Sequence, residues 1–334
     1  MANLEYPSIL DDLGRAGELG IAVVGDARAQ AELRLCRERG FPVQDVDGAP
    51  GRVRLEHDEE SLVPCWIEQE TRALAWRRLR ATGFLQIDST NREACDAAVS
   101  GAEEGTLIFA ETQTAGKGRM ERNWFSPAGS GVYFSFVLRP QQPWRFWPLL
   151  THVAAVALID ALRELGQDMQ FPEKTDIDLK WPNDVLLSGK KCAGILLETL
   201  TPAEGEAAAV IGVGVNVRRG SVPEELADVA TCLDDMAGAA VPRRRVMTGF
   251  LDCFQEGYLL FRDGRFGEVL DRWKARSSMW DGAAVTVFEG GRARDAVTCG
   301  LDGMGALRVR FADGAAETVL AGDIRVRRRQ GRAT

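Results

Sequence analysis

The sequence predicts an α+β protein built in three parts, and three observations lead to that prediction. Helical and hairpin patterns fill residues 1–66, strands alternate with helices over 84–277, and closely spaced short β-rich runs fill 278–334. Pieces of sheet interleaved with helices are typical of an α+β domain. Short strands separated by Gly-containing turns are typical of a small barrel. A helix over 67–83 is predicted to link the first part to the second.

The first part has the outline of a winged helix. Apolar spacing predicts helices at 7–19 and 27–39, and the Asp47-Gly48 and Pro50-Gly51 pairs predict a hairpin over 43–55. Up to residue 66 there are 13 acidic and 7 basic side chains, a net charge of −6. A domain that grips DNA phosphates needs Lys and Arg. The charge therefore argues against DNA and favours a degenerate winged-helix-like domain with a regulatory or structural role.

The second and third parts are predicted element by element from periodicity and turn residues. Helices are predicted at 68–80, from Ser89 or Thr90 onward, and at 148–165, 243–262 and 266–275. Strands are predicted from residue 84 and at 106–111, 131–138, 178–187, 191–198 and 208–217. The third part, predicted to be an SH3-like barrel, has strands at 284–288, 295–299, 306–311, 317–320 and 324–326.

Composition excludes several classes of protein. The chain has 334 residues, 45% of them hydrophobic, and a net charge of −8, so a large core is expected and a general nucleic-acid or membrane surface is not. No apolar run is expected to span a membrane, and residues 1–20 lack the pattern of a leader. Seven cysteines without a CxxC pair and two histidines argue against structural zinc. A reducing, cytoplasmic compartment is predicted.

Lysine is scarce, and its positions mark a candidate site. Of six lysines, four lie within 116–127 and 178–198. In the first string, glycines would let backbone amides approach an anion while Lys117, Arg119 and Arg122 supply charge. Trp124 offers a flat face for stacking. The alternative is an exposed basic loop without a ligand.

The second string combines a cation and a carboxylate at a strand end. Asp184 could hold Mg²⁺ and Lys180 a phosphate; the alternative is a surface ion pair beside a core tryptophan. After the following turn comes Lys191, and Gly194 would let a flat ligand lie against the backbone. Cys192 is a poor candidate nucleophile because no histidine is near it in sequence.

Together these strings resemble one family, the biotin protein ligases, including the bifunctional ligase–repressors. The motifs occur in the family's order: Asp88-Ser-Thr-Asn, Glu111-Thr-Gln, Gly116-Lys-Gly-Arg, Arg122-Asn-Trp-Phe-Ser-Pro, Lys180-Trp-Pro-Asn-Asp, Lys191-Cys-Ala-Gly-Ile-Leu-Leu-Glu and Ile211-Gly-Val-Gly-Val-Asn. They cover about 84–217. The resemblance implies a class II synthetase-like catalytic domain over 84–277, and the flanking parts are similar to the family's winged-helix and SH3-like domains.

The resemblance also implies roles for individual residues. Biotin would be bound by Ser89, Thr90, Asn91, Gln113, Gly116, Arg119, Lys191 and Gly194. ATP would be bound by Lys117, Arg119, Arg122, Trp124, Asn183 and Asn216, and Mg²⁺ by Asp184. The catalytic residues would be Lys117, Arg119, Lys180 and Lys191.

The implied reaction uses biotin and ATP as substrates, with Mg²⁺. Biotin's carboxylate would attack the α-phosphorus, and a lysine of the biotin carboxyl carrier protein of acetyl-CoA carboxylase would then take the biotinyl group. Neither step needs an enzyme nucleophile. The first step needs cations and the alignment of two anionic reactants that repel each other. A homodimer formed on ligand binding stays open.

Two departures from the family pattern leave alternatives. Met120-Glu121 stands where many members have Arg-Gly, so the Glu121 side chain is expected to point outward. Residues 20–28 are too short for a further helix of a helix-turn-helix, which puts repressor activity in doubt. The alternatives are a ligase that also represses a biotin operon on DNA, a lipoate-type ligase, and a biotin sensor without ATP chemistry.

Overall fold

The computed structural model describes residues 3–71, 79–172, 175–201, 206–289, 292–320 and 325–328. The first part contains β1 (Leu4–Glu5), α1 (Ser8–Ala16), β2 (Ile21–Ala22), α2 (Ala27–Glu38), β3 (Val43–Asp45), β4 (Arg52–Leu55) and α3 (Pro64–Glu70). The predicted order of two helices and a hairpin is confirmed. Strands β2, β4 and β3 form an antiparallel sheet in that order, whereas β1 pairs with the central sheet.

Local chemistry explains the bounds of these elements. Helix α2 begins after Asp26, whose carboxylate accepts a hydrogen bond from the backbone N–H of Ala29 at 3.0 Å. Gly20 has φ +57°, and a Cβ there would lie 2.3 Å from the carbonyl oxygen of Val53. A side chain at residue 20 would therefore separate β2 from β4.

The predicted linker helix over 67–83 is wrong at its C-terminal end. Helix α3 ends at Glu70, residues 72–78 lie outside the described residues, and a strand begins at Arg80. Residues 80–84 pair in parallel with 106–110, and Gly83 lets the ring of Phe109 approach within 2.6 Å of where a Cβ would lie. Sheet pairing thus outweighs the helix propensity of single residues.

The second part contains β5 (Arg80–Gln86), α4 (Thr90–Val99), β6 (Thr106–Ala110), β7 (Gly131–Leu138), α5 (Leu149–Asp168), β8 (Ile177–Lys180), β9 (Asp184–Leu187), β10 (Lys190–Leu200), β11 (Ala208–Asn216), α6 (Leu233–Ala237), α7 (Arg243–Arg262) and α8 (Phe266–Lys274). Its sheet has the order β1-β5-β6-β7-β11-β10-β9-β8. The pair β5–β6 is parallel and the other described pairs are antiparallel, so the predicted mixed sheet is confirmed.

Helices cover both faces of this sheet. Buried side chains of α5 and α7 pack with alternate residues of β6 and β7, such as Phe109, Phe134 and Phe136. Ala94 and Ala98 of α4 pack on the other face. Because successive side chains of a strand point to opposite faces, both layers are apolar.

The predicted single strand over 178–187 is wrong, because the chain turns at residues 181–183. Strands β8 and β9 pair as a hairpin, with Lys180 opposite Asp184. Pro182 has no N–H to donate and cannot continue a ladder. The turn places Asn183 beside Ile195 in the middle of β10, where the Ile195 N–H donates to the Asn183 carbonyl oxygen at 3.0 Å.

The helix Trp144–Asp168 is long and apolar enough to cross a membrane, contrary to the expectation from sequence. In the fold, 72% of its most apolar window is buried. Its buried side chains include Leu150, Val153 and Leu158, and they belong to the main core. These observations describe the core helix of a folded domain.

The third part contains β12 (Asp281–Glu289), β13 (Arg292–Leu301), β14 (Leu307–Phe311), β15 (Ala316–Val319) and β16 (Arg325–Arg328). The five predicted strands are confirmed with shifted bounds, except that residue 324 lies outside the described residues. They form an antiparallel sheet of order β15-β14-β13-β12-β16. Apolar residues of this sheet belong to the same core as α5 and α8.

Both flanking parts hold the central part by polar contacts. The guanidinium of Arg243 on α7 pairs with Glu60 and Glu111, and that of Arg244 lies 4.7 Å from the ring centre of Trp66. On the other side, Trp181 Nε1 donates to the Gly305 carbonyl oxygen at 3.0 Å. The turn at 181–183 is thereby fixed from the C-terminal sheet.

Candidate functional site

A cavity of about 390 Å³ lies beside the start of α4, over strands β7, β11, β10 and β9. Every residue assigned to the site from sequence lines it, with one exception. The lining includes Ser89, Thr90, Asn91, Gln113, Lys117, Arg119, Arg122, Trp124, Lys180, Asn183, Asp184, Lys191, Gly194 and Asn216. The exception is Gly116, which is buried behind the cavity wall, where a Cβ would lie 2.6 Å from the Trp124 carbonyl oxygen.

Bare backbone makes the floor of the cavity. The Trp124 ring lies over the strands so closely that a Cβ on Gly214 would be 2.6 Å from Cε2, and one on Gly194 would be 3.0 Å from Cζ3. On Gly212, a Cβ would lie 2.1 Å from Asn91 Oδ1. The sequence analysis gave Gly212 and Gly214 no role. Their i, i+2 spacing in one strand was the available signal, because it leaves one face of the strand without side chains.

One end of the cavity is uncharged and hydrogen-bonded. The backbone N–H of Thr90 donates to Gln113 Oε1 at 2.9 Å, and the Thr90 hydroxyl is 2.9 Å from that of Ser135. The Ser135 hydroxyl donates to Asn91 Oδ1 at 2.8 Å. Ser89 Oγ is buried, and no partner for it is found among the described residues. A buried hydroxyl without a partner is costly, so a polar ligand group beside Ser89 would satisfy it.

The loop over 116–124 folds back on itself and supplies the cavity roof. Its ends are joined by hydrogen bonds from Trp124 N to Gly116 O at 2.8 Å and from Gly118 N to Arg122 O at 2.7 Å. Glu121 is exposed and does not line the cavity, as expected from its charge. Its φ of +56° is a conformation that favours glycine. The loop thus accepts Glu121 by turning the side chain to solvent.

The other end of the cavity is cationic. Lys191 Nζ lies 2.7 Å from Asp184 Oδ1, and Lys180 Nζ lies 3.8 Å from Asp184 Oδ2. Within the described part of the chain, the lining holds five cations, Lys117, Arg119, Arg122, Lys180 and Lys191, against one carboxylate, Asp184. A local net charge of +4 in a chain of net charge −8 is suited to an anionic ligand.

Arg119 and Trp124 connect the loop to this cationic end. Arg119 NH1 donates to Asn183 Oδ1 at 3.1 Å, and burial lowers the pKa of the guanidinium. Its NH2 group and Trp124 Nε1 are buried, and neither has a partner among the residues that the structure describes. Lys191 Nζ lies 5.1 Å from the centre of the Trp124 ring. Two buried donors of cavity-lining residues are therefore available to a ligand that carries acceptors.

Hydrogen bonds of Asn183 and Asn216 fix the cavity wall near β10, the strand that contains Cys192. Asn183 Nδ2 donates to Ile195 O at 2.6 Å, and Asn216 Nδ2 donates to Thr231 O at 3.1 Å. Cys192 is buried, and burial raises the pKa of its thiol. It is not suited to act as a nucleophile. This agrees with the sequence analysis.

The donor set does not fit a metal ion held by the protein alone. Among described residues, no group of three His, Cys, Asp or Glu side chains comes together. Asp184 is the carboxylate of the lining, and each of its oxygens contacts a lysine. Mg²⁺ is compatible with one carboxylate only when substrate phosphates supply further ligands.

Comparisons with known proteins give a consistent result. Residues 83–216 match the biotin/lipoate A/B protein ligase family. The chain is 33% identical over 275 residues to a biotin–[acetyl-CoA-carboxylase] ligase of Mycobacterium tuberculosis, covering 82% of this chain and 97% of that protein. It is 38% identical over 191 residues to the bifunctional ligase/repressor BirA of Bacillus subtilis, covering 57% of each chain.

A solved structure gives the same result. The fold is similar to a biotin protein ligase from Aquifex aeolicus in complex with biotin and ATP, with a TM-score of 0.62 and 27% identity. The match covers 75% of this chain and 99% of that one. The residues that it leaves uncovered amount to a quarter of this chain.

Proposed function

The chain belongs to the biotin protein ligases of the biotin/lipoate A/B protein ligase family, and we propose that it activates biotin with ATP and transfers it to a carrier protein. The observation that carries this proposal is the division of one cavity into an uncharged hydrogen-bonding end and a cationic end that contains Lys191. Biotin has a neutral ring system and an anionic tail, so its two ends match the two ends of the cavity. The cationic end would then also receive the triphosphate of ATP.

The first step joins two anions, which repel each other in water. An oxygen of the biotin carboxylate bonds to the α-phosphorus, the bond to pyrophosphate breaks, and biotinyl-5′-AMP forms. Lys191 would screen the two anions at the point of attack, while Lys180 and Arg119 would face the leaving charge. Preorganised cations in a site shielded from water stabilise such a transition state.

The second step needs an amine rather than an enzyme nucleophile. The neutral ε-amine of the carrier lysine attacks the biotinyl carbonyl carbon, the bond to the AMP oxygen breaks, and an amide and AMP result. The loop over 116–124 would keep water from the mixed anhydride between the two steps. We propose the biotin carboxyl carrier domain of acetyl-CoA carboxylase as the acceptor, because the relatives in Mycobacterium tuberculosis and Paracoccus denitrificans are named for that enzyme.

Mg²⁺ is proposed to enter bound to ATP. The protein offers Asp184, which both lysines already contact, and the phosphates would supply further oxygen ligands. The ion would neutralise charge on the leaving pyrophosphate.

Pyrophosphate release tests the substrate assignment. The purified chain is incubated with ATP and either biotin or lipoate at equal concentrations. We expect release that depends on biotin, since Ser89, Thr90 and Asn91 present several polar groups to a compact polar ring. Equal or faster release with lipoate would make the chain a lipoate-type ligase, and no release with either would favour the sensor.

DNA binding is not part of the proposal. In the described residues between α1 and α2, the chain forms one turn of 3-10 helix at Gly17–Leu19 and the two-residue strand β2, and no further α-helix. A gel shift at low salt with biotin and ATP is expected to show no specific complex. A sequence-specific shift would add the repressor activity for which the Bacillus subtilis relative is named.

We retain five further expectations as proposals. The N-terminal part is proposed to be a degenerate winged helix, and the five-stranded part an SH3-like barrel. The parts are proposed to divide at 1–66, 67–79, 80–277 and 278–334, with the strand at Arg80 moved into the catalytic part. The chain is proposed to act in the cytoplasm and to form a homodimer on binding ligand.

A further inference from the structure

Glu198, on β10, lies outside the cavity lining, but its carboxylate contacts two residues of the site. One contact is with Asn91, whose Nδ2 donates to Glu198 Oε2. The other is with Lys117 of the loop, whose Nζ lies 3.8 Å from Glu198 Oε1. We propose that Glu198 is a positioning residue that couples the uncharged end of the cavity to the loop that closes over it; its consequences for biotin rest on the proposed function.

The contact with Asn91 fixes which way the side-chain amide points. A carboxylate accepts hydrogen bonds and cannot donate them, so Glu198 requires the NH2 group of Asn91. The amide oxygen must then face Ser135, whose hydroxyl donates to it at 2.8 Å. Asn91 is buried, with 4% exposure, so loss of either partner would leave a buried amide group unpaired. Glu198 thereby sets the donor and acceptor pattern at that end of the cavity.

The hydrogen-bonded chain that starts at Glu198 returns to the loop. From Asn91 it passes to Ser135, then to Thr90, whose hydroxyl donates to Ser135 and whose backbone N–H donates to Gln113 Oε1. Gln113 Nε2 donates to Ser126 Oγ at 2.9 Å, and that hydroxyl donates to the Trp124 carbonyl oxygen at 3.1 Å.

Both ends of the loop are therefore attached to one hydrogen-bonded chain. Lys117 is attached through Glu198, and Trp124 through Ser126. A ligand group that bonds to any member of the chain would strengthen the bonds next to it. Loss of Glu198 would detach the Lys117 end and free the Asn91 amide to rotate.

The test uses E198Q in the full chain, because glutamine keeps the shape and removes the charge. The matched control is E103Q. Glu103 lies just before β6 and pairs with Arg80 of β5 at 3.7 Å, close to the 3.8 Å between Glu198 and Lys117, and neither Glu103 nor Arg80 lines the cavity. The first readout needs no ligand. Trypsin cleaves after Lys117, Arg119 and Arg122, and mass spectrometry follows each cut. We expect E198Q to be cut in the loop about tenfold faster than wild type and E103Q.

The second readout has two parts. Calorimetry measures the affinity for biotin without ATP, and steady-state kinetics measures the KM values for biotin and ATP. E198Q is expected to weaken biotin binding about tenfold and to raise the KM for biotin more than the KM for ATP. E198D is expected to recover part of the loss, because aspartate restores the negative charge and accepts hydrogen bonds on both carboxylate oxygens, whereas glutamine keeps only one acceptor oxygen. If Glu198 served folding alone, E198Q would change the KM for biotin and the KM for ATP by the same factor, or would lower stability in urea without changing either KM more than the other.

The outcomes separate the two proposals. Loop cleavage and biotin affinity that are unchanged in E198Q would overturn the role of Glu198. A wild-type chain that does not bind biotin would overturn the proposed function, while the ligand-free cleavage rates would still decide the role of Glu198.

Discussion

Replacement of Lys191 by Ala should stop adenylate formation and leave the fold intact. The ammonium lies 2.7 Å from Asp184 Oδ1, and the two side chains are 34% and 17% exposed. An ion pair of this kind contributes at most about 1 kcal/mol to stability. Lys180 stays 3.8 Å from the same carboxylate, so Asp184 keeps a partner. We therefore expect the free energy of unfolding to fall by less than about 1 kcal/mol.

The rate should change far more. Removal of one preorganised group that stabilises developing charge lowers kcat by about 10²–10³. In the variant, the charge of Asp184 is less fully neutralised, and it would repel the incoming carboxylate and phosphates. At about 4 Å and an effective dielectric constant near 20, such a repulsion amounts to about 4 kcal/mol before screening by Lys180. We expect biotin-dependent pyrophosphate release to fall by about 10³ or more.

The assay is single-turnover pyrophosphate release at saturating biotin and ATP, with urea unfolding as the check on stability. Lys190→Ala is the matched control, because Lys190 Nζ donates to Ala227 O at 2.7 Å and does not line the cavity. Its rate is expected to stay within about twofold of wild type. The reasoning is refuted if Lys191→Ala retains more than about a tenth of the wild-type rate, or if both variants slow equally.

Three further perturbations follow from contacts in the fold. Gly214→Ala places a Cβ 2.6 Å from the Trp124 ring, so adenylate formation should slow, whereas Gly303→Ala meets no atom within 4 Å and should not affect it. Burial lowers the pKa of His152 from 6.5 to about 4. The unfolded chain therefore binds a proton that the native chain excludes, so stability should fall by about 3 kcal/mol from pH 6.5 to 4, and His152→Leu should lose that part of the dependence. Arg243→Met leaves the largely buried Glu111 carboxylate without its cation, while Glu60 keeps its ion pair with Arg218, and the variant should destabilise the fold by about 3 kcal/mol in urea.

For each of these three predictions, one result would contradict it. Equal adenylation rates for the two glycine variants would show that the indole moves freely. A pH profile of unfolding that is identical with and without His152 would show that the imidazole has the same pKa in the native and the unfolded chain. Unchanged stability of the Arg243 variant would show that its ion pairs are solvated.

Much of the site could be predicted because its residues occur in short ordered strings. Three of the four clustered lysines, Lys117, Lys180 and Lys191, line the cavity, and Lys190 does not, as predicted. Sequence periodicity also identified the long helices, and α7 has the predicted bounds. These features can be predicted from sequence because the residues that determine each of them lie within one turn, one helix or one strand.

The features of the fold and site that were not predicted depend on contacts between residues that are distant in sequence. Glu198 contacts Asn91 across 107 positions, and Trp181 contacts Gly305 across 124, so neither pair could be read from spacing. The strand at Arg80 depends in the same way on its partner at Thr106. Asp184 was assigned to Mg²⁺ because a carboxylate near a lysine fits that role, but sequence could not show that two lysines share it.

Transfer of labelled biotin tests the central claim most directly. The chain is mixed with ATP, labelled biotin and a purified biotin carboxyl carrier domain, and the label on the carrier is measured. We expect label that requires ATP, is absent when the acceptor lysine is replaced by Arg, and is lost with Lys191→Ala. A carrier that remains unlabelled while the chain binds biotin would contradict the account, and would leave the protein a biotin-binding sensor.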